Sequence, residues 1–193
     1  MENKNYEFHA LGAYKEKIFD LILKHDLSEL LIDILMPTIK NENFDKTENF
    51  LGGKYRINGQ QIILERHIFD VPFIYSTVTD TRGVICMDTN ISGCSKSLKE
   101  MIIDISVACH KNILEIDDDV RMKYFKLGYI GRNRVDIAIA IIGDILNDSD
   151  KFGIGKLVPA KYDPTQSLFP NRDFWEKILR YSCTDFMKDY TKT

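Results

Sequence analysis

Tyr14, Ile18, Leu21, Ile22 and His25 recur at three- and four-residue steps, which places them on one largely apolar face of a helix. Helical periodicity holds from Ala13 to Pro37. Ser28 is positioned to cap a second short helix carrying Leu30, Leu31, Ile34 and Leu35, which Pro37 ends. Residues 38–53 are polar, finish on Gly52-Gly53 and read as a connection.

The period then changes to two. Asn58-Gly59 lies between KYRI and QQIILERHIF, and a two-residue type I′ turn needs the positive φ angles those residues tolerate. The turn sets the register, with Ile57 opposite Gln60 and Tyr55 opposite Ile62. One face carries Tyr55, Ile57, Ile62, Leu64 and Ile68; the other carries Lys54, Arg56, Gln61, Glu65 and His67, interrupted by Ile63. PFIYSTVT, the turn DTRG and VICMDT suggest a second hairpin, giving an antiparallel meander of about four strands.

From residue 95 the pattern reads as helical again, with Leu98, Met101, Ile102, Ile105 and Cys109 as its stripe. RNRVDIAIAIIGDILND fits a buried strand by its alternation, but its length and the steps Ile137, Ile141 and Ile145 favour a buried helix. A last helix is predicted from about Asn171, with Trp175, Leu179, Cys183, Phe186 and Tyr190 on one stripe and Phe174 and Ile178 beside it. The order predicts one α+β domain. It has N-terminal helices, a central antiparallel β-meander of about four strands, and C-terminal helices packed on one face. That domain spans 1–193, with 1–12 and 191–193 as loose ends.

Composition adds bounds. Hydrophobic residues make up 44% of the 193 and charged residues 28%, enough for a core inside a charged shell. The net charge of -3 argues against a nucleic-acid partner, although Arg132 and Arg134 stand near several lysines. No apolar run approaches the ~18 residues that span a bilayer, and the first residues show no secretory pattern. Cys86, Cys94, Cys109 and Cys183 have no ligand-like spacing, so they are expected as reduced thiols in a cytoplasmic protein that binds no metal or cofactor.

NISGCSKSLKEMIIDISVACH is the stretch that invites a chemical reading. Cys94 follows Gly93 where a helix is predicted to begin, a place that favours a thiolate. His110 is sixteen residues further on, about 24 Å along a continuous helix, too far to serve it as a base. Cys109 falls on the apolar stripe and is expected in the core. The turn Ser92, Gly93, Cys94, Ser95 and Lys96 offers backbone N–H groups to an anion, although it is not a P-loop. Glu65, His67 and Arg56 share a strand face and form a candidate acid–base cluster, which Cys94 could join.

His25-Asp26 lacks the further ligands of a metal phosphohydrolase, and NDSDKFGIG lacks the ligands of a calcium loop at Phe152 and Pro159. Glu115 to Asp119 reads as the acidic start of a helix. GxSxG, GxGxxG and HExxH are missing from the sequence.

These patterns favour a cytosolic protein-interaction or regulatory module without catalysis of its own. Its partner is another protein or a second copy, met through Phe174, Trp175, Ile178, Leu179, Phe186 and Tyr190. The alternative is a small hydrolase or transferase acting on a phosphorylated small molecule or nucleotide.

Overall fold

Two long strands side by side organise the chain. The computed structural model describes residues 6–36, 54–57, 60–63, 67–69, 81–94, 98–147, 150, 156–160 and 173–186. Strand β4 (Gly83–Cys94) pairs antiparallel with β5 (Leu98–His110) along nearly its whole length, with one register irregularity between Ile91 and Gly93. β7 (Phe174–Phe186) pairs antiparallel with the other edge of β5, from Leu98 opposite Phe186 to His110 opposite Phe174. The short β3 (Ile68–Phe69) lies parallel to β4, and β6 (Val158–Pro159) lies antiparallel to β7. The resulting five-stranded order is β3-β4-β5-β7-β6, while β1 (Lys54–Ile57) and β2 (Gln60–Ile63) form a separate two-stranded sheet.

The long strands bury alternate residues. Ile85 and Met87 of β4, Met101, Ile103, Ile105, Val107 and Cys109 of β5, and Tyr181 and Cys183 of β7 all face the main core. Helices cover that face. α1 (Tyr6–Lys24) packs on β4, and α2 (Ser28–Leu35) packs on α5 (Arg134–Asn147), which lies across β5 and β7. Ile18, Leu21 and Ile22 of α1 and Leu31, Ile34 and Leu35 of α2 are buried there. α5 contributes Val135, Ile137, Ala138, Ile141, Ile142, Ile145 and Leu146, a three- and four-residue stripe. On the opposite face a smaller cluster joins Val84, Cys86, Ala108 and Phe174, with Phe69 against it.

Two segments expected as helices are strands. Residues 98–110 and 174–186 form β5 and β7, so β5 is the central strand and the sheet is not a meander of residues 54–89. β-branched Ile102, Ile103, Ile105 and Val107 pack well on a pleated surface, and long neighbours pair with this strand along both edges. The hairpin register at Asn58-Gly59 is as expected, Ile57 opposite Gln60 and Tyr55 opposite Ile62, although the hairpin stands outside the main sheet. PFIYSTVT lies outside the described residues, and its expected partner VICMDT belongs to β4. α1 reaches back to Tyr6, into the stretch read as a loose end.

Ser28 does not cap α2 by accepting a helix N–H. Its hydroxyl lies 2.5 Å from the Ile22 carbonyl oxygen and 2.6 Å from that of His25, so it donates back towards the end of α1. Asn133 is a true cap. Its side-chain oxygen accepts from Asp136 N at 2.9 Å, and its amide donates to the Asp136 carboxylate at 3.0 Å, fixing the start of α5.

α3 (Lys111–Leu114) and α4 (Asp118–Lys126) lie between β5 and α5. The side chain of Arg134, buried at the first turn of α5, ties this region down. Its Nε donates to the Ile113 carbonyl at 2.6 Å and its Nη1 to the Ile34 carbonyl at 3.1 Å. Both acceptors lie in the last turns of α3 and α2, where helix carbonyls have no partner of their own. One guanidinium therefore closes two helix C-termini, whose negative ends also favour a cation.

Candidate functional site

His67 precedes β3, and its Nδ1 lies 2.7 Å from the Gly83 carbonyl. An oxygen at that distance requires a proton on Nδ1, which leaves Nε2 as the acceptor. Burial pushes the imidazole below its ordinary pKa; the Gly83 hydrogen bond opposes this and the Arg82 charge adds to it. The ring is therefore neutral in the fold. An unfolded chain takes up this proton near pH ~6.5, so the contribution of His67 is complete above that value and is lost as pH falls below it. Stability is expected to decline between pH 7 and 5.5, with this one proton adding at most about 1.4 kcal/mol per pH unit. His67→Gln should flatten that slope in urea titrations. An unchanged slope would show that His67 takes no part.

The strand face expected to join His67 to Arg56 does not exist as one strand. β2 ends at Ile63 in one sheet and β3 begins at Ile68 in another, with Arg56 in β1. Glu65 lies outside the described residues, as does the side chain of Arg56.

The expected anion turn rests on a helix N-terminus, and a strand is found there. Gly93 stands opposite Glu100 and Cys94 opposite Lys99 across the β4–β5 ladder. Ser92 is exposed, with its hydroxyl 3.4 Å from the Glu100 carbonyl, and Ser95 and Lys96 lie outside the described residues. The helix dipole invoked for the anion is therefore absent at this position, and the turn between the two strands lies outside the described residues.

Cys109 is fully buried and its thiol is pushed up to about 12 by desolvation, so it stays protonated as a core side chain. His110 points to the other face, where Nδ1 accepts from Asn112 N at 3.2 Å and the ring meets the Phe174 edge at 5.3 Å. The two neighbours are thus parts of two different cores. Among the described residues, no three His, Cys, Asp or Glu side chains converge as a metal site requires. The calcium-like stretch after Asn147 lies mostly outside those residues.

The expected aromatic interface is divided between the two faces of β7. Leu179 packs beside the main core, whereas Phe174 is buried in the second cluster and Ile178 is half-buried. Trp175 is 53% exposed, and Tyr190 and the side chain of Phe186 lie outside the described residues. On the open face, Arg180 closes a fork on the Asp104 carboxylate at 2.6 and 2.7 Å, and Ser106 donates to Glu176.

A surface that sequence reasoning missed lies on α4. Its acidic first turn, Asp118 and Asp119, is as the charge pattern suggested. Tyr124 is its anchor: it is 1% exposed and its hydroxyl donates to the Leu30 carbonyl at 2.8 Å, which fastens α4 to α2. Burial pushes this phenol well above its usual pKa, so it remains a donor. Lys123 lies 3.5 Å from Asp33 on the same side. With Tyr124 turned inward, Met122 and Phe125 must face outward.

The helix then ends on a left-handed residue, Gly128 at φ 92°. Gly128 N donates to the Phe125 carbonyl and Tyr129 N to the Tyr124 carbonyl, each at 3.0 Å, the paired bonds of a Schellman turn. That turn brings Tyr129 and Ile130 back beside α4. Met122 is 50% exposed, Phe125 55%, Leu127 51% and Ile130 80%. Met122, Phe125 and Ile130 border a recess of about 140 Å³, lined together with Arg121, Tyr129 and Gly131.

The YomW family model matches residues 28–183, most of the chain. The chain belongs to the YomW family. No curated protein and no solved structure matches it. The YomW match takes in α2, the five-stranded sheet up to Cys183, and the whole α4 surface, while α1 precedes it. No helix among the described residues is long and apolar enough to cross a membrane.

The sequence signal for the surface is modest. Within DDVRMKYFK, Val120 and Tyr124 make the inward stripe at a four-residue step, and Met122 and Phe125 make a second apolar pair off that stripe. A helix this short with two apolar faces buries one on its own domain and leaves the other to water.

Proposed function

We propose that the chain is a protein-interaction or regulatory module of the cytoplasm, acting without catalysis of its own and docking through the α4 surface. The observation that carries this is the cluster of Met122, Phe125 and Ile130, each at least half exposed, around one recess. Scattered exposed apolar residues are ordinary, but a contiguous group with a concave centre is a feature of contact surfaces. Fully burying one such side chain contributes ~1.5–3 kcal/mol, so covering the exposed half of three contributes about 2–5 kcal/mol from this side alone, to which the partner's own buried apolar surface adds, before the costs of association. That suits a reversible contact. The alternative, a small hydrolase or transferase acting on a phosphorylated small molecule or nucleotide, drew on Arg56, Glu65 and His67 and on the Ser92–Ser95 turn, most of whose side chains lie outside the described residues.

A photo-reactive phenylalanine analogue placed at Phe125 in the source cells tests the reading, with one at exposed Lys24 as control. A discrete cross-linked product at 125 and none at 24 is expected. Equal yields at both positions, or none at either, would remove α4 as a docking surface.

A further inference from the structure

We propose that the occupant of the α4 surface is a second copy of this chain, bound with its α4 antiparallel across a two-fold axis near Met122. The inference rests on the interaction reading above and names its partner.

Charge order along one helical face points to this partner. Three- and four-residue steps from Met122 reach Asp118 and Asp119 in one direction and Phe125 and Lys126 in the other. The outward face therefore runs acid, acid, methionine, phenylalanine, lysine. A two-fold axis turns such a face head to tail. Asp118 and Asp119 of one copy then meet Lys126 of its partner at both ends of the contact, and Met122 meets Met122 at the centre.

An isologous interface must be complementary to itself, and this face meets that condition. Met122 lies over Met122 of the partner at the centre, with the exposed Phe125 of each copy to either side of it. Asp118 also holds Arg121 of its own chain at 2.6 Å, but both side chains are more than half exposed, and such pairs contribute little. Their in-chain pairing is weak competition for a contact between copies.

The test is sedimentation velocity at about 100 μM chain, where a micromolar complex is saturated. Wild-type protein is expected as a dimer. The double variant Asp118→Lys, Asp119→Lys and the separate variant Lys126→Glu each place like charges at both ends, so each is expected to sediment as a folded monomer. An equimolar mixture of the two restores opposite charges at both ends and is expected to recover the dimer. Recovery in the mixture also shows that both variants are folded.

A wild-type monomer overturns the two-fold pairing. A wild-type dimer indifferent to both variants overturns its location. Cross-linking at position 125 separates this from the broader reading: a product with a different protein keeps the docking surface and discards self-association, and the absence of any product discards both.

Discussion

Arg134→Ala is expected to lower the unfolding free energy by about 3–4 kcal/mol, because it strips two helix ends of the guanidinium they share in one step. The Ile113 and Ile34 carbonyls would each lose a charge-assisted donor, and water would have to enter or the oxygens remain unpaired. In a domain of this size that is a fall in Tm of roughly 10 °C. Arg134→Lys should recover only part, since a single ammonium cannot reach both carbonyls with the geometry of the planar fork. Urea titrations check this through the midpoint, with the slope unchanged. A loss below about 1 kcal/mol would mean that the guanidinium is not the link between α2, α3 and α5.

Gly83→Val should cost about 2–3 kcal/mol, through crowding and not through lost contacts. A β-carbon on Gly83 would lie 2.9 Å from the Leu35 carbonyl oxygen, 3.1 Å from Cys109 Sγ and 3.1 Å from Leu35 Cδ2. The first neighbour is backbone at the end of α2, so relief requires shifting that helix away from β4. The same strand end supplies the carbonyl that His67 faces, and the variant should therefore also disturb His67. Gly83→Ala is the milder form and should cost less. Thermal unfolding of the two side by side checks the order, and an unaffected Gly83→Val protein would contradict the close approach of α2 to β4.

The errors in reading the chain have a common cause. Trp175, Leu179 and Cys183 are four residues apart, as are Met101, Ile105 and Cys109, and a four-residue step keeps side chains on one face of a helix and of a strand alike. The positions that discriminate are two and three residues on. Tyr181 and Ile103, buried two residues from their neighbours in the stripe, mark the strands. The Asn-Gly hairpin and the α5 helix were readable, one because a two-residue turn leaves little choice, the other because Ile141, Ile142, Ile145 and Leu146 fill adjacent helical rows. The strand partners were not readable, since β5 finds β7 across more than sixty intervening residues and no local pattern encodes that choice.

The candidate site was harder still. Its side chains are ordinary apolar residues on a short helix, and only the inward rotation of Tyr124 and the left-handed turn at Gly128 expose them. Charge order along the face was present in the sequence from the start. It acquires meaning only once Asp118, Met122, Phe125 and Lys126 are known to share the water-facing side.

Oxidation of Met122 tests the docking surface most directly. A brief peroxide pulse, quenched with free methionine and read by mass spectrometry, compares dilute purified chain with the protein in its source cells. Met122 is half exposed, while Met87 and Met101 are fully buried and serve as internal controls. The account predicts rapid conversion of Met122 to the sulfoxide in the dilute chain and several-fold protection in the cells, with Met87 and Met101 slow in both. Equally rapid oxidation of Met122 in both would contradict it, because a surface that stays open to peroxide in the cell has nothing docked upon it.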